Sequence, residues 1–172
     1  MANDQLLGAI RTVPDFPKPG IQFKDITPIL KDVELLRQAV KSLAAPFEQA
    51  NIDKVVGMES RGFILGAMLA DHLGAGFVPV RKKGKLPYQT IAETYALEYG
   101  TDELEMHIDA LTPGERVLIH DDVIATGGTA AATANLVKRS QGHILGYSFL
   151  IELAFLNGKA KLSETVHAVL TY

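Results

Sequence analysis

Between Arg116 and Thr129 the chain reads RVLIHDDVIATGGT, and the order of residue types in that run leaves few folds open. Val117 to Ile119 is apolar and rich in β-branched side chains, short enough for a buried strand and too short for a helix. Asp121 and Asp122 follow where that strand should end. A turn of small residues then leads, at Thr129, into AAATANLVKRS, which contains good helix formers and stops near Gly142. In an open α/β sheet, ligands bind beyond the carboxyl ends of the strands. Consecutive backbone N–H groups at Thr126, Gly127, Gly128 and Thr129 can converge there on one anion, helped by the helix N-terminus and two hydroxyls. No Cβ at the glycines obstructs the anion or forbids positive φ.

Two carboxylates beside an anion cradle select the ligand further. Aspartates repel a polyphosphate but accept hydrogen bonds well from the two hydroxyls of a ribose. They also stabilise positive charge that develops on a sugar ring during glycosyl transfer. A sugar 5-phosphate satisfies both halves, with its phosphate in the glycine loop and its diol on Asp121 and Asp122. The alternative is a strand followed by an ordinary acidic turn, because Asp and Gly are common turn residues. The ordered combination of strand, Asp pair, ATGGT and helix favours the ligand reading.

The same alternation of strand and helix extends along the chain. Lys54–Met58 and Gly76–Val80 read as short strands, with a largely apolar helix, Gly62–Leu73, between them. Leu35, Leu36, Ala39, Val40 and Leu43 recur at helical spacing, and Pro46 kinks or restarts that helix. Leu104, Met106 and Ile108 alternate with polar residues, as in a half-exposed strand. Ile144–Ile151 and Val166–Leu170 supply the last strands. The expectation is an α/β fold, a mainly parallel central sheet flanked by helices on both faces. Pro14, Pro17, Pro19 and Pro28 are too many for a continuous helix or a central strand and mark an ordered loop that covers something.

Composition narrows the function. With 172 residues, no internal repeat and no low-complexity tract, the chain is expected to form a single domain. The net charge of −3 argues against generic nucleic-acid binding, and no apolar run approaches membrane-spanning length. Cysteine is absent, which excludes disulfides and thiolate chemistry. MANDQLLGAIRTV lacks a signal-peptide pattern, so a cytoplasmic location is expected. His72, His107, His120, His143 and His167 are scattered without metal-ligand spacing and read as structural or surface residues, with no metal ligand among them. No P-loop sequence and no dinucleotide fingerprint after a strand is present.

Four other segments carry chemistry-bearing residues, three of them with two readings. In GMESRGFILG, Ser60, Arg61 and the loop amides could hold a second anion, or Glu59 and Ser60 could simply cap a helix. The cluster RKKGK, with Arg81, Lys82 and Lys85, is either a solvated face or the cationic partner of an anion at a strand end. Glu98 and Tyr99 read as a surface pair. The Pro-rich segment is either a surface arm or a cover in which proline pre-sets the backbone around Gln22 and Lys24 and Phe23 offers a ring for stacking.

Taken together, PDFPKPGIQFKDITPIL, GMESRGFILG, VPVRKKGKLP, LEYGTDELEMHIDAL and DDVIATGGT closely resemble, in order, the segments of the type I phosphoribosyltransferase family in its adenine-using branch. The resemblance spans most of the chain. It implies transfer of the 5-phosphoribosyl group from 5-phosphoribosyl-1-pyrophosphate (PRPP) to adenine, giving AMP and pyrophosphate in purine salvage. Mg²⁺ would be delivered with PRPP, and the protein would be a homodimer. The implied layout is one domain, 1–172, with a hood at about 1–30 and a flexible catalytic loop at about 81–108.

By resemblance Ala125, Thr126, Gly127, Gly128 and Thr129 hold the 5-phosphate, while Asp121 and Asp122 hold the diol and act catalytically. Ser60, Arg61, Arg81, Lys82 and Lys85 complete the PRPP site, one of the cations acting across the dimer. The Ser60–Arg61 peptide is expected to be cis. Glu98 becomes the general acid/base toward the purine, on a loop that closes over the reactants. Gln22, Phe23, Lys24 and Leu153 would bind adenine, Leu153 from the opposite face of the base. Gln22 and Lys24 replace an aliphatic residue and an arginine often found there, and His120 replaces an aliphatic residue before the aspartates. The competing readings are a xanthine or hypoxanthine-guanine enzyme and a non-catalytic PRPP-sensing regulator, which would carry an added DNA-binding domain.

Overall fold

The computed structural model describes residues 2–96 and 101–172. A helix α1 (Ala2–Ala9) leads into a small antiparallel pair, β1 (Arg11–Pro14) and β2 (Gln22–Asp25), and then into α2 (Thr27–Leu30) and α3 (Val33–Ala44). The main body follows as β3 (Lys54–Met58), α4 (Gly62–Leu73), β4 (Gly76–Lys82), β5 (Thr90–Ala96), β6 (Thr101–His107), β7 (Arg116–Ile124), α5 (Gly128–Arg139), β8 (His143–Glu152) and β9 (Val166–Thr171). Asp32 starts α3 by accepting from the Glu34 and Leu35 amides at 2.9 and 3.1 Å, and Pro46 begins a 3₁₀ turn at its end. Gly74, at φ 66°, ends α4 in the left-handed conformation.

The seven long strands form one sheet in the order β5-β6-β4-β3-β7-β8-β9. The pairs β4-β3, β3-β7, β7-β8 and β8-β9 are parallel, whereas β6 runs antiparallel to both β4 and β5. The sheet is therefore mainly parallel, as expected. Within the segment at about 81–108, the described residues complete β4 and supply β5 and β6. Leu104 and Met106 are buried there, while Ile108, just past the strand, is exposed. The Pro-rich segment is not only a loop: β1 and β2 flank Pro17 and Pro19 in a separate two-stranded ribbon in which Pro14 is a terminal residue, and Pro28 sits in the first turn of α2. The helix α1, with Leu6 fully buried, carries no clear sequence signal in its short run.

Strand alternation sorts the core into two layers. Val55, Leu118 and Leu150 face α1, α3 and α4 through Leu6, Leu43, Leu65 and Leu69. Val56, Ile119, Tyr147 and Phe149 face α5 through Ala130, Leu136 and Val137. The crossovers β3-α4-β4 and β7-α5-β8 leave the sheet centre in opposite directions, so right-handed connections place their helices on opposite faces. The strand order reverses between β3 and β7, which makes their carboxyl ends the switch point of the fold.

His120 lies on the α4 side of β7 and is completely buried. Its Nδ1 stands 2.8 Å from the Ser148 carbonyl, and Ser148 Oγ donates to the Leu43 carbonyl at 2.9 Å. The acceptor role of the Ser148 carbonyl places the ring proton on Nδ1 and leaves Nε2 unprotonated, without a hydrogen-bond partner. Burial drives the His120 pKa down from 6.5 to about 4, only partly opposed by the Ser148 contact. The folded chain thus refuses a proton that the unfolded chain accepts, so this residue lowers stability as pH falls from 6.5 to 4. The loss is on the order of 3 kcal/mol once both pKa values are passed. Denaturant unfolding of the wild-type chain and of His120→Leu across that range should show the variant gaining relative stability toward acid pH. A difference that does not change with pH would contradict a neutral, buried His120.

Candidate functional site

The aspartates sit inside β7 rather than after it. On one flank β3 accompanies β7 only as far as the Gly57–His120 pairing; on the other, β8 continues to the Ile124–Glu152 pairing. Asp121 and Asp122 are thereby held rigidly by β8 while their other edge opens into the switch-point crevice. This corrects the expectation that the strand ends before them: the strand continues on a single flank, which apolar patterning does not reveal.

Alternation then separates the two carboxylates. Asp121 lines both a small cavity of about 80 Å³ and a larger one of about 410 Å³, whereas Asp122 lines only the larger. The small cavity is walled by Ala125, Thr126, Gly127, Gly128 and Thr129, the loop that enters α5. Gly127 has φ 75° and precedes the first residue of the helix, so the N-terminal amides of α5 face this space. Burial, followed by the charge of Asp122, raises the Asp121 pKa well above the ordinary carboxylate value. Burial raises Asp122 as well, and the Arg61 guanidinium pulls it back. Adjacent carboxyls of this kind titrate as a unit, and each gains from a hydroxyl or cation brought against it.

The larger cavity joins elements distant in sequence. Gln22, Phe23 and Lys24 of β2, Ser60 and Arg61 before α4, Ala125 and Leu153 all line it with the two aspartates. The β1-β2 ribbon is fixed by Asp25, which accepts from the Thr27 amide at 2.9 Å and from Arg11 Nε at 2.9 Å. Lys24 sends its ammonium to Thr12 Oγ1 at 3.0 Å and over the Tyr172 ring at 3.9 Å, neither of which lines the cavity. Arg61 pairs through Nε with Asp122 Oδ2 at 2.8 Å. A wider groove of about 610 Å³ between α3 and α4 shares no lining residue with these cavities and offers no loop amides.

The second loop also departs from expectation. The cis peptide lies at Glu59–Ser60, one residue before the expected position. Glu59 and Ser60 do not cap α4 through their side chains. Instead the largely buried Glu59 carboxylate accepts from the Lys82 amide at 2.8 Å, bonds Lys85 Nζ and pairs with Arg81 Nε at 3.4 Å. Burial alone would raise the Glu59 pKa, but Lys85, Lys82 and Arg81 outweigh it and lower it. Lys82 Nζ turns to Asp102 at 3.1 Å, and that contact raises its pKa. The RKKGK cations are thus bound to carboxylates of β6 and of the β3-α4 loop rather than free in solvent, and none of Arg81, Lys82 and Lys85 lines either cavity. Glu98 lies outside the described residues.

A family model for the phosphoribosyl transferase domain matches residues 27–161, a span that contains both loops and the aspartates. The chain belongs to the phosphoribosyltransferase family. Among its relatives, adenine phosphoribosyltransferase of Synechococcus sp. (strain JA-2-3B'a(2-13)) is 62% identical over 95% of this chain and 94% of its own. The crystal structure of adenine phosphoribosyltransferase from Rhodothermus marinus DSM 4252 superposes with a TM-score of 0.96 at 66% identity, covering 99% of this chain and 98% of the other. The Saccharomyces cerevisiae enzyme, solved with adenine and an imino-altritol bisphosphate, gives a TM-score of 0.94 at 43% identity, with 98% of each chain covered.

Two residues of this phosphoribosyltransferase fold escaped the sequence reading. Glu59 was visible only as a cap candidate, because its cationic partners come from a strand more than twenty residues on. Gly158 carries only the turn signal of Asn157-Gly158, yet it is buried against the glycine loop that enters α5. A Cβ on Gly127 would overlap the Gly158 carbonyl oxygen, and one on Gly158 would overlap the Ala125 carbonyl oxygen. The β8-β9 connection therefore backs the loop that walls the small cavity. Gly158→Ala should push the loop out of register and weaken ribose 5-phosphate binding roughly tenfold, within the 1–3 kcal/mol range of overpacking effects. Calorimetric titration with ribose 5-phosphate checks this, and unaltered affinity would show that this backing does not shape the loop.

Proposed function

We propose that this chain transfers the 5-phosphoribosyl group of PRPP to adenine, releasing AMP and pyrophosphate, as an adenine phosphoribosyltransferase of purine salvage. The observation that carries the reading is that the two cavities share Asp121, Val123 and Ala125. A ligand anchored by phosphate in the glycine loop must pass its ribose over the aspartates to reach the Phe23 side. The names borne by relatives of 55 to 62% identity support the choice of base.

In this reading Thr126, Gly127, Gly128 and Thr129, with the Ala125 backbone, hold the 5-phosphate. Asp121 and Asp122 take the ribose hydroxyls and stabilise the cationic character that grows on the sugar as pyrophosphate departs. Ser60, Arg61, Arg81, Lys82 and Lys85 receive the pyrophosphate. Gln22 and Lys24 present main-chain groups to the edge of adenine, between Phe23 and Leu153, so that a ring nitrogen faces C1. Glu98 exchanges the purine proton. Mg²⁺ would be delivered with PRPP as part of the substrate, and it would supply neutralising charge to the departing pyrophosphate. The enzyme acts in the cytoplasm as a homodimer.

Incubation with PRPP, Mg²⁺ and a panel of purines should yield AMP, with guanine, hypoxanthine and xanthine far poorer. A 6-oxo purine leaves fixed hood groups unpaired, at about 1–3 kcal/mol each. Efficient GMP or XMP formation would overturn the base assignment, and absence of any turnover would favour a PRPP sensor. Glu98→Gln should lower turnover by about 10²–10⁴-fold and flatten one limb of the pH–rate profile while PRPP affinity holds. Unchanged turnover and profile would remove Glu98 from the proton step.

A further inference from the structure

One guanidinium occupies the meeting point of three of the four proposed subsites. Arg61 Nε lies 2.8 Å from Asp122 Oδ2, and Arg61 Cζ lies 4.8 Å over the Phe23 ring centroid. All three residues line the larger cavity. The Phe23 ring is itself braced, since Phe16 meets it edge to face at 5.1 Å. Arg61 thus covers the aromatic surface on which a base would stack and neutralises a carboxylate that would hold the ribose.

The hold is of a kind that exchanges readily. Asp122 is 3% exposed, yet its Oδ2 receives no well-aligned hydrogen bond despite the close guanidinium. The pairing is one of charge and proximity rather than of the two parallel hydrogen bonds that make arginine–carboxylate contacts strong. The Arg61 side chain is 38% exposed, so an incoming anion can reach it. A pyrophosphate group offers more charge and more acceptor oxygens than one carboxylate, and it can draw the guanidinium away from both neighbours.

We infer that Arg61 gates the base slot: at rest it covers Phe23, and an anion at the pyrophosphate subsite withdraws it and exposes the ring to adenine. The inference rests on the proposed function and adds to it a coupling between two ligands that share no bond. Adenine binds the unliganded protein weakly because it must displace the guanidinium. It binds more tightly when the anion has already done so, and linkage requires adenine to tighten the anion by the same factor.

Equilibrium titration with adenine, with and without saturating inorganic pyrophosphate and Mg²⁺, reads this coupling directly. The wild-type chain should bind adenine on the order of tenfold more tightly with pyrophosphate present. Arg61→Ala, with its fold verified by circular dichroism and its own pyrophosphate saturation determined, should bind adenine alone as tightly as the wild type does with pyrophosphate. Pyrophosphate should then add nothing. Equal adenine affinity with and without pyrophosphate in the wild type would overturn the gate, as would an undiminished enhancement in Arg61→Ala. If AMP forms in the purine panel while the coupling is absent, the gate alone fails. If adenine neither binds nor turns over, the functional reading fails with it.

Discussion

The site depends on one asymmetry in strand pairing. After His120, β7 keeps β8 and loses β3, so two successive carboxylates are fixed by a hydrogen-bonded strand on one side and face open space on the other. A turn would hold them less rigidly, and pairing on both flanks would close the crevice that they line. The asymmetry follows from the topology: β3 must release its chain into the loop before α4 at the level where β7 still runs toward α5. The glycine loop, the Arg61 loop and the β1-β2 ribbon all converge on the space that this mismatch opens.

Charge is arranged around that space in advance. Glu59 gathers Lys85, Arg81 and the Lys82 amide, Asp102 takes the Lys82 side chain, and Asp122 takes Arg61. A cluster of cations repels itself, and these carboxylates offset that repulsion. In the proposed function, PRPP would exchange partners here instead of assembling them, which reduces the ordering cost of binding.

Much of this was legible in the sequence, and the parts that were not share a cause. Val117–Ile119, Lys54–Met58 and Gly62–Leu73 declared themselves because strand and helix patterning are local properties. Residues of DDVIATGGT and GMESRGFILG line adjoining cavities. What local patterning could not show was pairing across distance. The continuation of β7 through its aspartates depends on β8, the capture of RKKGK depends on Glu59, and the ribbon form of the Pro-rich segment depends on β1 meeting β2. His120 was noted as a departure, but only the fold reveals Ser148 and Leu43 as the polar thread that accommodates it.

The contact between Gly127 and Gly158 has a consequence for anyone seeking to modify the molecule. Surface connections between strands are the usual places to insert a tag, graft a peptide or open a circular permutation. The connection between β8 and β9 looks suitable, with Ala154 to Asn157 exposed and two short 3₁₀ turns. One residue later the same connection is the floor beneath the glycine loop that walls the small cavity. An insertion after Asn157 would not be a change at the periphery, and tolerance would have to be sought instead near Gly114, whose positive-φ turn meets no neighbour within 4 Å of a built Cβ.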